Sequence, residues 1–118
     1  MGVMKWMMKR GALGGIARST ARNYTSAKAR LPNASVEELY EVCIRLRYGN
    51  RPDQIAMHIE VMMDGVSAGG FGLLNLCHNF ARWEMNINGI EYDVEEVLRE
   101  TLIDEGVSSA EIKPPLFG

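Results

Sequence analysis

The sequence predicts a mainly α-helical protein of about four short helices with one small β-hairpin, preceded by a basic, partly helical N-terminal arm. Three observations lead to this prediction. Apolar residues recur at spacings of three and four along most of the chain, which is the period of an amphipathic helix. Residues that start and stop helices bound these stretches. One further stretch alternates apolar and polar residues around an Asn-Gly pair, as a hairpin does.

The charged residues are unevenly divided along the chain. Residues 1–30 carry seven of the 13 Lys and Arg and no acidic residue, so their formal charge is +7. The remaining six basic and all 15 acidic residues give the rest of the chain a charge of −9, and the total is −2. Such a division predicts that the basic segment has a partner of its own. We therefore divide the chain into an arm (1–32), a small helical domain (33–106) and an extended tail (107–118).

The arm begins with a short amphipathic helix predicted for residues 3–10. At 100° per residue, Lys5 and Lys9 fall together on one side, and Arg10 falls at the edge of the apolar side. That apolar side is only about two turns long. Its members are Val3, Met4, Trp6, Met7 and Met8.

A flexible joint is predicted next, because a glycine costs about 1 kcal/mol in a helix interior and three glycines stand close together. They are Gly11, Gly14 and Gly15. Residues 16–30 resume a helix in which Arg18 and Arg22, four positions apart, share a line. Pro32 ends that helix, since the residue before a proline is disfavoured in the α conformation.

The arm has three alternative functions. A docking segment fits the Trp and Met side set against lysines, with a larger protein complex or a membrane-associated assembly as partner; a membrane surface alone would hold so short a stripe weakly. A nucleic-acid-binding arm fits the basic excess with Trp6 and Tyr24 inside it. A mitochondrial transit peptide fits the Arg, Ser and Thr content, and Arg22–Ser26 resembles a processing site.

The domain begins with a capping box, Ser35-Val-Glu-Glu38, in which the Ser hydroxyl and the Glu carboxylate each bond a free backbone amide. The first helix of the domain runs from there to about Tyr48. Arg51-Pro52-Asp53 starts a second helix that reaches about Asp64. Its core line comprises Ile55, Ile59 and Met62.

Gly65–Gly72 is predicted to be a flexible joint of small residues. It contains four glycines, but it lacks a Gly-Lys-Ser/Thr ending and a preceding strand pattern, so the sequence does not favour a phosphate-binding loop. A third helix, Leu73–Trp83, is apolar around more than half of its circumference. This is typical of the central helix of a small domain.

The helical period breaks at Met85–Tyr92, where apolar and polar residues alternate around Asn88-Gly89. Since Asn-Gly is the strongest short signal for a hairpin turn, we predict two short strands here. The alternative is a loop between two helices, because an isolated hairpin is only marginally stable. Asp93-Val-Glu-Glu96 reads as a second capping box, and Gly106 ends the helix that it starts. The tail contains Pro114-Pro115 and then two apolar residues, Leu116 and Phe117, which pack on their own domain or insert into a neighbour.

Residues capable of chemistry are few and scattered. Cys43, His58, Cys77 and His78 are of types that bind zinc, but no paired motif such as CxxC or HxxxH occurs. We therefore expect no catalytic residue, no metal, no cofactor and no small-molecule substrate. We expect both cysteines to be buried, reduced thiols.

The predicted function is that of a non-catalytic accessory or adaptor subunit that docks onto a larger protein assembly. The alternatives are a small nucleic-acid-binding protein and an imported mitochondrial protein. The corresponding location is cytoplasmic or membrane-peripheral, or else the mitochondrial matrix. The predicted partner-binding residues are Met4, Lys5, Trp6, Met7, Met8, Lys9, Arg10, Arg18, Arg22, Leu116 and Phe117.

Overall fold

A helix of 28 residues, α1 (Val3–Arg30), runs along the long dimension of the protein. At 1.5 Å per residue such a helix is about 42 Å long, and the longest extent of the structure is 46 Å. The structure is a computed structural model that describes residues 3–88 and 92–113, and the side chains of residues 5–88 and 93–113.

Five further helices follow α1: α2 (Val36–Arg47), α3 (Pro52–Ala68), α4 (Leu73–Met85), α5 (Tyr92–Asp104) and α6 (Ser109–Ile112). The prediction of a mainly α fold is confirmed. The prediction of about four helices with a β-hairpin is wrong, because the residues described form six helices and no strand. None of these helices is both long enough and apolar enough to span a membrane.

The core is built on α1, which packs against α2, α4 and α5. Its buried residues repeat at spacings of three and four, so they form one line along the helix. Most of them are small, and small side chains at a helix contact let the axes approach closely. The line consists of Leu13, Ile16, Ala17, Thr20, Ala21, Tyr24 and Ala27.

The predicted arm with a glycine joint is therefore a continuous core helix. Gly11, Gly14 and Gly15 all lie within it. Their cost of about 1 kcal/mol each is outweighed by burial, which contributes roughly 1.5–3 kcal/mol for each large apolar side chain. Gly14 faces α5, where a Cβ atom would lie 3.9 Å from Oγ1 of Thr101.

The basic residues of α1 meet acidic residues of the same chain. Three ion pairs join α1 to the end of the chain: Arg10–Glu100 at 3.2 Å, Arg22–Glu105 at 3.0 Å and Lys28–Glu111 at 2.8 Å. Because the residue numbers rise together, the chain from α5 to α6 advances in the same direction as α1. Exposed pairs such as these contribute only about 0–1 kcal/mol each, so they align the helices more than they stabilise them.

The helix boundaries follow local signals where the caps are specific. Oγ of Ser35 accepts a bond from the amide of Glu38 at 3.2 Å, and the Ser35 amide donates to Oε1 of Glu38 at 3.1 Å, so the first capping box is confirmed. The first half of the predicted joint 65–72 is helix, because α3 continues to Ala68. The chain turns at Gly69 and Gly70, which both have φ of +81°.

The predicted hairpin is replaced by a helix end. Met85 is the last residue of α4, and Asn86 is its left-handed C-cap with φ 53° and ψ 48°. The amide of Ile87 then donates to the carbonyl of Arg82 at 3.1 Å, which closes the helix end, and the Ile87 side chain is buried. Asparagine tolerates the left-handed conformation, so Asn86 can act as the C-cap of α4. The turn residue Gly89 lies outside the residues described.

The last helices also differ from the prediction. Since α5 begins at Tyr92, Asp93 lies inside the helix and not at its N-cap. The predicted extended tail contains α6, whose Ile112 is buried in the core. Leu116 and Phe117 lie outside the residues described.

The central helix and the cysteines match the prediction. Seven of the 13 residues of α4 are buried. Cys43 and Cys77 are both buried and free. Burial raises the pKa of each thiol to about 12, so both are protonated at neutral pH.

We predict that Leu13→Ala lowers the free energy of unfolding by about 2–5 kcal/mol, because it opens a cavity in a fully buried site. Met8→Ala is the matched control in the same helix, since Met8 is 72% exposed, and it should cost less than about 0.5 kcal/mol. Denaturant melts of both variants provide the measurement. Equal losses would show that α1 is not a core helix.

Two glycine substitutions should act in opposite directions. A Cβ atom at Gly11 meets nothing within 4 Å, so Gly11→Ala should stabilise the protein by about 0.5–1 kcal/mol through helix propensity. A Cβ atom at Gly65 would overlap the ring of Phe71, so Gly65→Ala should destabilise it by about 1–3 kcal/mol. Thermal melts that show the same sign for both would contradict this packing.

Candidate binding surfaces on α3

Helix α3 is the least buried of the longer helices. Only His58 and Met62 are buried among its 17 residues, although many of its residues are apolar. It packs mainly on α2, so it lies at the periphery of the protein. Apolar side chains therefore remain accessible on both sides of its buried line, and exposed apolar groups that lie together commonly mark binding sites.

The first surface is the outer flank of α3, formed by Pro52, Ala56, Ile59 and Met63. These residues are spaced by four, three and four, so they share one side of the helix. Met63 is 45% exposed. The flank borders a groove of about 460 Å³ between α2 and α3, which also includes Ile55 and Arg45. Arg45 is paired with Glu41 at 3.6 Å.

An acidic edge runs beside the outer flank. It consists of Asp53, Glu60 and Asp64, and α3 contains no Lys or Arg. The accessible side of α3 thus combines an apolar stripe with a negative border. Basic amphipathic helices have the complementary pattern.

The second surface is the α3–α4 groove, with a volume of about 310 Å³. Its lining combines apolar side chains with amides, one imidazole and one guanidinium. None of the nine described lining residues is acidic. They are Met57, His58, Val61, Asn79, Arg82, Trp83, Asn86, Ile87 and Asn88.

His58 is held in place within this groove by aromatic rings and by its own helix. Its ring stacks on Tyr48 with centroids 4.6 Å apart, and it meets Phe80 at 5.5 Å and Trp83 at 6.5 Å. Its Nδ1 lies 2.9 Å from the carbonyl oxygen of Gln54. Since a carbonyl only accepts, Nδ1 carries a proton, and in the neutral tautomer that this contact selects Nε2 is the acceptor.

Behind His58, a polar network ties α2 to α4. Nη2 of Arg47 donates to Oε1 of Glu84 at 2.8 Å, and the Tyr48 hydroxyl donates to Oε2 at 2.6 Å. Burial alone would raise the pKa of Glu84, but the hydrogen bonds from Arg47 and Tyr48 outweigh it and lower that pKa. The carboxylate is therefore ionised at neutral pH, and it orients Tyr48 against the imidazole.

The predicted docking residues of α1 do not form one apolar surface. Trp6 lies on the line of the core residues and is half-buried, with Nζ of Lys9 5.8 Å from its ring centroid. Met7 and Met8 are 64% and 72% exposed. At 100° per residue Met8 points about 160° away from Trp6. Lys5 is also exposed.

The remaining predicted partner-binding residues are dispersed. Arg10 and Arg22 are engaged in the ion pairs with α5 and with Glu105 beyond its end. Arg18 lines a separate groove between α1 and α5. The side chain of Met4, together with Leu116 and Phe117, lies outside the part of the chain whose side chains are described.

The Cys and His residues that the sequence offers as metal ligands do not come together as a ligand set in the described part of the chain. Sγ of Cys43 lies 4.0 Å from the carbonyl oxygen of Thr20. His58 and His78 lie on α3 and α4. No group of three or more His, Cys, Asp or Glu residues that could hold a metal ion occurs in the described part of the chain.

The surfaces on α3 were missed by reasoning from the sequence. The signal was present, because apolar residues occupy most of the circumference of α3 and exceed what one buried line needs. The sequence pattern places only Ile55, Ile59 and Met62 on that line. The others are Met57, Val61, Met63 and Val66.

Comparison with protein-family models, curated proteins and solved structures gave no match.

We predict that Glu84→Gln destabilises the protein at pH 7 by about 1–3 kcal/mol, because it weakens bonds to a charged acceptor. The folded-state pKa of Glu84 is lowered from the usual 4.5. The ionised Glu84 carboxylate therefore contributes its full stabilisation above about pH 4.5. This stabilisation is lost as the pH falls through the folded-state pKa. The difference in unfolding free energy between wild type and variant should shrink below about pH 4.5.

Glu60→Gln, on the exposed acidic edge, is the matched control for that measurement. It should lower the free energy of unfolding by less than about 0.5 kcal/mol, both at pH 7 and below about pH 4.5. A Glu84→Gln penalty that stays constant down to about pH 3 would mean that the carboxylate charge contributes nothing.

Proposed function

We propose that this protein is a non-catalytic accessory subunit that docks onto a larger protein by receiving one of its amphipathic helices on the outer flank of α3. The observation that carries this proposal is the apolar stripe Pro52–Ala56–Ile59–Met63 beside the acidic edge. An apolar face bordered by one sign of charge fits a helix with apolar residues every three or four positions and basic residues along one border.

The flank of α3 supports docking better than the end of α1 does. The charges of α1 are partly satisfied within the chain by the pairs to Glu100, Glu105 and Glu111. Trp6 turns toward the core. What remains exposed at that end, chiefly Met7 and Met8, is divided between different sides of the helix.

The same pairs weigh against the two alternative functions. A nucleic-acid-binding arm needs basic side chains that are available to phosphates, and three of the seven in α1 already bind carboxylates. A transit peptide cut at Arg22–Ser26 would remove buried Leu13 and Ile16 from the core. The proposal therefore retains α1 in the working protein, in the cytoplasm or at a membrane-associated assembly.

Site-specific photo-crosslinking in the cells that make the protein tests this proposal. A benzoylphenylalanine at position 63 should crosslink to a protein segment that is basic and has apolar residues every three or four positions. Position 103 is the matched control, because Ile103 is 57% exposed on α5 and lies outside the proposed surface. The identity of the crosslinked segment, read by mass spectrometry, is the result that counts.

Charge complementarity is tested by neutralising the acidic edge. Asp53→Asn, Glu60→Gln and Asp64→Asn together should lower the yield of the position-63 crosslink several-fold, since interface charges govern steering and partner choice. No crosslink at position 63, the same products at positions 63 and 103, or crosslinks to nucleic acid would each overturn the proposal.

A further inference from the structure

We propose that the α3–α4 groove is a second, separate site, which binds a small ligand with an apolar frame, one carboxylate and a hydrogen-bond donor on the frame. This site is independent of the docking flank, because it lies on the opposite side of the buried line of α3. Its volume of about 310 Å³ falls at the lower end of the range for small-molecule pockets.

The charge of the lining selects an anion. The chain has 15 acidic residues and 13 basic ones, yet the described lining has one cation, Arg82, and no acid. Asn79 and Asn86 add amide donors on the same side of α4, since they stand three residues before and four residues after Arg82. Guanidinium and amide donors together bind a carboxylate well.

The apolar walls of the α3–α4 groove predict that the frame of the ligand is apolar. Met57 and Val61 project from α3, Trp83 from α4, and Ile87 from the segment after it. Trp83 is 46% exposed, so one part of its indole is available to a flat apolar group. Aromatic rings and methionine sulfur both pack favourably on such groups.

His58 supplies the acceptor for the donor on the ligand. It is only 3% exposed, it lines the groove, and its Nδ1 is engaged by Gln54. Among the described residues nothing hydrogen-bonds Nε2. A nearly buried acceptor on a residue that lines the groove is satisfied at low cost by a hydroxyl or an N–H group of a ligand.

The groove is also preorganised for binding. Tyr48 stacks on the imidazole, and Tyr48 is itself fixed by Glu84. The ring therefore loses little freedom when a ligand binds, which favours affinity for a small molecule.

Titration of the ¹⁵N-labelled full chain with three small probes tests the assignment. 4-Hydroxyphenylacetate carries the frame, the carboxylate and the donor; phenylacetate lacks the donor; and tyramine replaces the anion with a cation. We expect saturable shifts of the Trp83 indole and the Asn79 and Asn86 side-chain amides. The dissociation constant for 4-hydroxyphenylacetate should be about 1 mM or lower, with weaker binding of phenylacetate and weakest binding of tyramine.

Arg82→Gln should weaken the binding of 4-hydroxyphenylacetate at least about fivefold, because it removes the one cation among the described lining residues. The substituted side chain is exposed, so the variant should fold normally. Arg45→Gln is the matched control, since Arg45 lies on α2 beside the other groove, and it should leave binding unchanged.

Several results would overturn the assignment. One is the absence of saturable shifts up to about 10 mM, a concentration at which even weak small-molecule sites fill. Others are shifts spread over residues outside the groove, equal binding of the anion and the cation, and an unchanged affinity in Arg82→Gln. Equal binding of phenylacetate and 4-hydroxyphenylacetate would remove the role given to His58.

Discussion

The exclusion of water from the buried line of α1 is the interaction on which the other helices depend. That line contacts α2, α4 and α5 at once, so none of these helices completes its own core without it. Its composition decides the geometry, because Ala17, Ala21 and Ala27 occupy positions where larger residues would push the neighbouring helices outward. Leu13, Ile16 and Tyr24 supply most of the apolar area between them.

The separation of basic and acidic residues along the chain also contributes to the contacts between helices. The basic first helix and the acidic last helices run side by side, and their ion pairs fall at matching positions along the two. In the sequence, this charge pattern suggests an external partner. In the folded protein, some of these charges pair with one another instead. The acidic residues left over include those of α3, on the periphery, where no basic residue of that helix compensates them.

Local signals predicted part of this fold and failed where tertiary contacts decide. The capping box at Ser35 and the wide apolar surface of α4 were reliable, because both depend on neighbours in the sequence. Alanine and threonine give a weak apolar period, so the core line of α1 was not visible, and its glycines suggested a break. The alternation around Asn88 was misread because Asn also caps helices. The sites on α3 required knowing which apolar residues find a neighbour, and a helical wheel does not contain that information.

The two buried cysteines make the interior of this protein chemically readable. Cys43 on α2 and Cys77 on α4 both lie against the part of the core that α1 covers, and burial keeps their thiols protonated with a pKa of about 12. Only the thiolate reacts with alkylating reagents, so modification has to wait until the helices separate. The labelling rate at each cysteine then reports how often that junction opens. The two thiols thus report local unfolding separately at α2 and at α4.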